Sequence, residues 1–458
     1  MRVARQLGAN EKVTWILDQA APMNFVVITR IEGPLEPMAI ESALEPLAKM
    51  HPFLKTCVEE RANGPWIVSR DEIKPSFTVL TRNGDYHWHE KTETELNAPF
   101  DRSNGPLIRV TLLHSQNVSD LIITFYHSIS DGFSGIYVMR DLLTLAGNWR
   151  PGTVPSPLTI YEPRPSVERL LPSSAHGWPG FCKTAALMGK QIYNQVCEHP
   201  QKLSVQAVPR NQRYTRIVHR ELARETLNQL ITRSREHNTT VQGALCASLL
   251  QAMADQMDKR TAVTFNCMSV VDQRRFLNPP IGQEIGMFAT AITTAHRVHP
   301  SPPFWTLAWE VKQKLNQAME SGEPLVSMAL TDKIVPQKGT IDEMADKISG
   351  LYSAATLVTN VGKLDLPEQY GQLQVKKWHF SVALKALTGP EFNLAAASFA
   401  GQMQLNFIYT APHLSETVAT QIADRMISIL TEQAAPKNIP NKVHQNEAAS
   451  GKENEKVG

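Results

Sequence analysis

The chain has 458 residues, long enough for two domains with separate cores, and its 42% hydrophobic and 20% charged content is that of an ordinary globular protein. Its 46 Lys and Arg against 44 Asp and Glu leave a net charge of +2, too mild for nucleic-acid binding, which needs a basic stripe, yet compatible with a phosphate-bearing substrate. The five cysteines, Cys57, Cys182, Cys197, Cys246 and Cys267, are odd in number and form no C-x-x-C pair, which argues against a disulfide framework and a zinc site and for reduced thiols.

Arg2 and Arg5 open the chain, but Glu11, Lys12 and Asp18 come before any apolar run of signal-peptide length, and no later run is long enough to span a membrane. The expectation is a cytoplasmic protein. Strand-like runs at 25–31, 108–113 and 121–126 alternate with helical patterns and predict a mixed α/β unit. The run at 121–126, β-branched and aromatic, leads directly into His127-Ser128-Ile129-Ser130-Asp131-Gly132. His127 should therefore emerge at a strand end, Gly132 should permit a sharp change of direction, and Ile136, Met139, Leu142 and Leu143 then follow at helical spacing.

Pro151, Pro155, Pro157, Pro163, Pro165 and Pro172 crowd the next stretch, and proline neither donates to a sheet ladder nor continues a helix interior. This is the expected inter-domain crossover. Helical character returns at 181–197, a strand at 214–222 opens the second half, and helices follow within 227–254 and 304–319. Residues 394–409 alternate around Gly401 as a hairpin, 417–430 reads as a closing amphipathic helix, and the polar stretch beyond Pro436 is expected to be disordered. The domain expectation is a first lobe over 1–150, a crossover and linking helix over 151–205, a second lobe over 206–435 and a tail over 436–458.

His127-x-x-x-Asp131-Gly132 has company in a fixed order. Residues 44–52 with Phe53-Leu54-Lys55, Asn97-Ala98-Pro99-Phe100-Asp101, Gly105-Pro106-Leu107-Ile108-Arg109, Thr240-Val241, Val270-Val271-Asp272-Gln273-Arg274 and Val358-Thr359-Asn360-Val361-Gly362 follow one another along the chain. Together with the histidine motif, the set resembles the condensation-domain and chloramphenicol-acetyltransferase-like acyltransferases, most closely stand-alone polyketide-associated alcohol O-acyltransferases of the phthiocerol dimycocerosyl transferase kind. The resemblance implies an α/β fold of two chloramphenicol-acetyltransferase-like lobes forming a V, with the histidine at the seam. It further implies that His127 acts as base and that Asp131 pairs with an arginine from the other half, Arg274, or Arg275 failing that. The donor would be an acyl-CoA or a phosphopantetheine thioester on an acyl carrier protein or polyketide synthase, and the acceptor a small-molecule alcohol.

The residues themselves support that chemistry. A neutral imidazole, with an ordinary pKa of about 6.5, can take the proton of an attacking hydroxyl near neutral pH. Asp131, at a strand-to-helix corner, is expected to turn into the protein and need a partner there. Ser128, Ser130 and Ser134 surround the histidine, but no G-x-S-x-G elbow exists, which favours direct transfer over a serine acyl-enzyme. Asn360 is a candidate donor to the oxyanion or a shaper of its own turn, and Tyr126 and Ser130 are further candidate contacts. Tyr126 stands where many family members carry a second histidine, which weakens a peptide-condensation assignment more than an alcohol one. The alternatives are amide formation and an inactive carrier-binding member. No bound cofactor, metal, nucleic acid or membrane span is expected, and the protein should act as a monomer.

Overall fold

The computed structural model describes residues 3–151, 158–203, 205–257, 261–299, 303–351, 354–387 and 389–435. The expected tail over 436–458 and part of the proline-rich crossover lie outside the described residues. Two six-stranded mixed sheets, each covered by helices, form two lobes. A small sheet of β1 (Ala4–Gln6), β4 (Gly64–Ser69) and β3 (Thr56–Arg61) flanks the first.

The sheet of the first lobe runs β12 (Gln369–Tyr370), β13 (Leu373–Val382), β2 (Asn24–Glu32), β7 (Val118–Tyr126), β6 (Ile108–His114) and β5 (Ser76–Thr81). The runs read as strands at 25–31, 108–113 and 121–126 are its central members. Helices α1 (Ala9–Ala20), α2 (Pro37–Met50), α3 (His87–Asn97) and α4 (Gly132–Gly147) belong to this lobe. Gly135 lets α4 approach the sheet closely, since a Cβ there would lie 2.8 Å from the side chains of Phe25 and Val27.

The second sheet runs β10 (Ala289–Val298), β9 (Val263–Asp272), β11 (Thr356–Lys363), β14 (Phe392–Phe399), β15 (Gln402–Ala411) and β8 (Tyr214–Leu222). Helices α6 (Arg224–Glu236), α7 (Val241–Ala254), α8 (Phe304–Ser321) and α11 (Glu416–Ala434) enclose its apolar core. Between the lobes in sequence lies α5 (Gly177–Cys197), while α9 (Glu323–Ile334) and α10 (Ile341–Leu351) pack toward α1.

A second lobe confined to 206–435 needs correction, because β12 and β13 are built into the first sheet, where β13 pairs antiparallel with β2 from Phe25 to Glu32. Residues 373–382 carry buried apolar side chains at nearly every second position, so sequence alone marks them as a strand without saying which sheet they complete. This exchange makes the seam continuous. One apolar core holds Val375, Trp378 and Phe380 of β13 together with Ala395 and Phe399 of β14.

At the seam, Trp88 of α3 meets His379 of β13 at 4.2 Å and His219 of β8 at 5.0 Å between ring centroids. Asn406 fixes His219, since its amide donates to Phe380 O (2.9 Å) and Ser381 Oγ (3.0 Å), leaving Oδ1 to accept from His219 Nδ1 at 2.8 Å. Burial lowers the His219 pKa to about 4 and holds that of His379 well below its ordinary value, with Lys377 adding repulsion to both. Histidines depressed in this way stabilise the fold above their unfolded pKa, and that stability is lost as pH falls through the folded one. The melting temperature should therefore hold above pH 6.5 and fall as the pH drops toward 4. His219→Asn should flatten the fall; an unchanged slope in that variant would remove the assignment.

Candidate active site

Strand β7 ends at Tyr126, a 3-10 turn covers His127–Ile129, and Asp131 caps α4 by accepting from Ser134 N at 2.9 Å. Aspartate is a favoured cap because its short carboxylate reaches the first unpaired amides of a helix. His127 is half-buried, with its ring 5.0 Å from that of Phe25. Its Nδ1 lies 2.9 Å from the Ser130 carbonyl. A carbonyl can only accept, so Nδ1 carries the hydrogen and Nε2 keeps its lone pair in the neutral ring. Burial pushes the imidazole below its ordinary value, against smaller opposing effects from Ser130 and Asp131, so the ring is neutral near pH 7.

Asp131 does not orient that histidine. Arg274 grips its carboxylate as a fork, Nη2 to Oδ1 at 2.7 Å and Nη1 to Oδ2 at 2.9 Å, and both side chains are buried. Phe288 N donates to Oδ2 at 2.9 Å and Ser134 Oγ lies 2.9 Å from Oδ1. Burial alone would raise the Asp131 carboxyl; Arg274 and the backbone donors overcome it and hold the group below its ordinary value. Asp272, at the end of β9, also holds the arginine, accepting from the same Nη1 at 2.9 Å. The Ser130 carbonyl, not a carboxylate, is thus the partner that sets the histidine tautomer.

The segment 273–288 of the second lobe closes over this corner. Gly286 N lies 3.2 Å from Ser134 Oγ, and Gln283 Oε1 accepts from Arg140 and from the Tyr161 hydroxyl at 2.9 and 2.8 Å. Behind it, His51 of the His51-Pro52 turn pairs with Asp141 at 2.8 Å and stacks on Tyr161 with ring centroids 4.8 Å apart. First lobe, crossover and second lobe are therefore tied together within one helix length of His127.

The other residues singled out from the sequence lie as follows. Arg275, the fallback, is exposed and lies over Phe276. Gly132 is not needed for a left-handed backbone, and a Cβ there would meet only Val361 Cγ1 at 3.9 Å; what the position does is face β11 across the seam. Asn360 accepts from Gly362 N at 2.9 Å, the turn-shaping role, and Gly362 takes the positive φ of +72° that the turn requires. Tyr126 and Ser130 offer no surface to a substrate, since both are fully buried; the Tyr126 ring packs on Phe100 and its hydroxyl lies in the field of Asp18. Ser128 is likewise buried, and Ser134 is held by Asp131 and Arg274.

Sequence reasoning missed Ser134 as the hub between Asp131 and Arg274, the Phe288 amide and the clasp from Gln283. Backbone donors and loop contacts leave no residue-type signal; only the invitation of an unpartnered serine one turn after the cap could have pointed to Ser134. Among the described residues no cluster of three or more His, Cys, Asp or Glu could hold a metal, and no helix is long and apolar enough to cross a membrane.

Residues 15–162 match the family model "Condensation domain" and residues 212–416 the model "Phthiocerol/phthiodiolone dimycocerosyl transferase C-terminus". The phthiocerol/phthiodiolone dimycocerosyl transferase of Mycobacterium bovis is 21% identical over 324 residues, 70% of this chain and 74% of that protein. The chain also matches peptide synthetases, of whose length it spans between 1% and 30%. Among solved structures, trichothecene 15-O-acetyltransferase from Fusarium sporotrichioides is similar with a TM-score of 0.74 at 15% identity, covering 94% of this chain and 96% of that one. Polyketide synthase associated protein 5 from Mycobacterium tuberculosis is similar with a TM-score of 0.68 at 16% identity, over 94% of this chain and 98% of that one. At such identities the two structures speak to the fold, whereas the two family models lie in order on the two halves of the chain, a condensation-domain match followed by a dimycocerosyl transferase C-terminal match.

Proposed function

We propose that this protein is an O-acyltransferase that moves an acyl group from a coenzyme A or carrier-protein thioester directly to an alcohol. The observation that carries the reading is a neutral His127 whose Nδ1–H is committed to the Ser130 carbonyl, leaving Nε2 to take a proton. The acceptor hydroxyl gives its proton to Nε2 as its oxygen attacks the thioester carbonyl. The tetrahedral intermediate then expels the thiolate, which recovers the proton from His127 as a free thiol. The burial of Ser128 and Ser130 and the engagement of Ser134 support direct transfer, since none is free to become an acyl-enzyme. The donor thioester is a co-substrate rather than a resident cofactor. The dimycocerosyl transferase and the polyketide-synthase-associated protein among its relatives support a polyketide or lipid setting, with a carrier protein or synthase as partner.

Matches to peptide synthetases favour a second reading, amide formation on an amine acceptor. Purified protein should be incubated with acyl-CoAs and acyl-carrier proteins, each with alcohol and amine acceptors, and thiol release followed. Ester formation with intersecting initial-rate lines is expected. Parallel lines, an isolable acyl-enzyme, or turnover with amines alone would each refute the proposal.

A further inference from the structure

Helix α5 is unlike the other helices of the molecule: of its 21 residues only Gly180 and Leu187 are buried. Trp178, Phe181, Met188, Ile192, Tyr193 and Val196 account for six of the fifteen large apolar side chains that the described residues expose, Trp178 at 75% and Ile192 at 62%. At about 100° per residue these six fall within an arc of about 140° on the outer face, a continuous apolar stripe. No charged residue enters it. The charges of the helix, Lys183 and Lys190, sit at its inner edge, where Lys190 pairs with Glu323 of α9 at 2.7 Å, and Leu187 anchors the helix from below. The helix carries no acidic residue, and Glu198, just beyond it, lines a polar pocket with Gln201 and Arg297.

Size and charge narrow what covers this stripe. From Trp178 to Val196 it is about 27 Å long and about 10 Å wide, roughly 300 Å², well short of the roughly 800 Å² per partner that a specific dimer buries. A partner helix would also need flanking charges to set its register, and a seam narrower than this arc. A bilayer needs neither. It takes a broad apolar face about 5–10 Å into the headgroup region and favours Trp and Tyr at that depth. Trp178 stands at one end of the stripe, stacked on Phe181 at 5.6 Å, and Tyr193 near the other. We propose that α5 is a membrane-surface docking element, which lays its outer apolar face into the surface of a lipid bilayer while the two lobes remain in water.

Flotation with phosphatidylcholine–phosphatidylglycerol vesicles tests this on the full-length protein. The wild type is expected to float with the vesicles, and with phosphatidylcholine alone and in high salt as well, since an uncharged face binds through apolar burial rather than through screened charge. A Trp178→Ser, Phe181→Ser, Ile192→Ser variant should partition at least about tenfold more weakly, because the lost side chains are those buried in lipid. These positions touch solvent, so its melting temperature should match the wild type; a Met188→Gln, Val196→Gln variant tests the same face if it does not. The proposal is overturned if the wild type stays in solution with every vesicle, or if both variants float as the wild type does. A lipid-free, concentration-dependent dimer abolished by the same substitutions would overturn it in favour of a second copy.

Discussion

Replacing Asp131 by alanine should lower stability by about 3–5 kcal/mol, because it strands the buried Arg274 charge rather than merely removing a contact. The loss reaches further than one pair. Four groups converge on this carboxylate: the Arg274 fork, Ser134 N, Ser134 Oγ and Phe288 N. Removing it also uncaps α4 and frees the strand β7–α4 corner that holds the Ser130 carbonyl against His127. Activity should therefore fall along with stability. Denaturant melts of the wild type, Asp131→Ala, Arg274→Met and the double variant separate the causes. If the stranded charge dominates, the double variant should recover much of what Asp131→Ala loses, since an apolar replacement removes the uncompensated cation. An Asp131→Ala protein that unfolds at the wild-type denaturant concentration would eliminate the pair as a support of the seam.

How much of this was legible in the sequence depended on whether a feature is local. The strand–turn–helix around His127 was, because a β-branched run, an aspartate cap and apolar residues at helical spacing are set by neighbours in the chain. So was β8 from Tyr214 to Leu222, and the β14–β15 hairpin around Gly401. The pairing of Asp131 with Arg274, 143 residues apart, was reached through the family resemblance, since no spacing rule links two such distant positions. What stayed hidden was topology. Residues 373–382 look the same as a strand of either lobe, and only the finished edge of β2 decides that they join the first sheet. Gly132 invited a backbone explanation that the structure does not use, whereas Gly135, three residues on, is small because Phe25 and Val27 leave no room. The orienter of His127 was invisible for a simpler reason: it is a main-chain carbonyl, which every residue has.

Loss of His127 should be almost purely chemical. His127→Ala is expected to lower kcat by about 10²- to 10⁴-fold, the usual worth of a positioned proton acceptor, while the fold survives, because the ring makes one hydrogen bond and stands at the end of a strand held by its neighbours. The pH dependence gives a second, independent reading. Burial depresses the His127 pKa, so the imidazole remains a competent base as the pH drops past the ordinary value of 6.5, and the acid limb of kcat/KM in the wild type should lie below it. The same depression has a consequence for stability whose sign is fixed. A histidine kept neutral in the fold but free to charge in the unfolded chain contributes stability above its unfolded pKa and loses it as the pH falls. His127→Ala removes that contribution, so the variant should lose less stability than the wild type between neutral and mildly acidic pH even as it loses turnover. Rates and melting temperatures of both proteins across this range decide the matter. Near-normal turnover in His127→Ala, or a wild-type acid limb at or above 6.5, would show that this histidine is not the base.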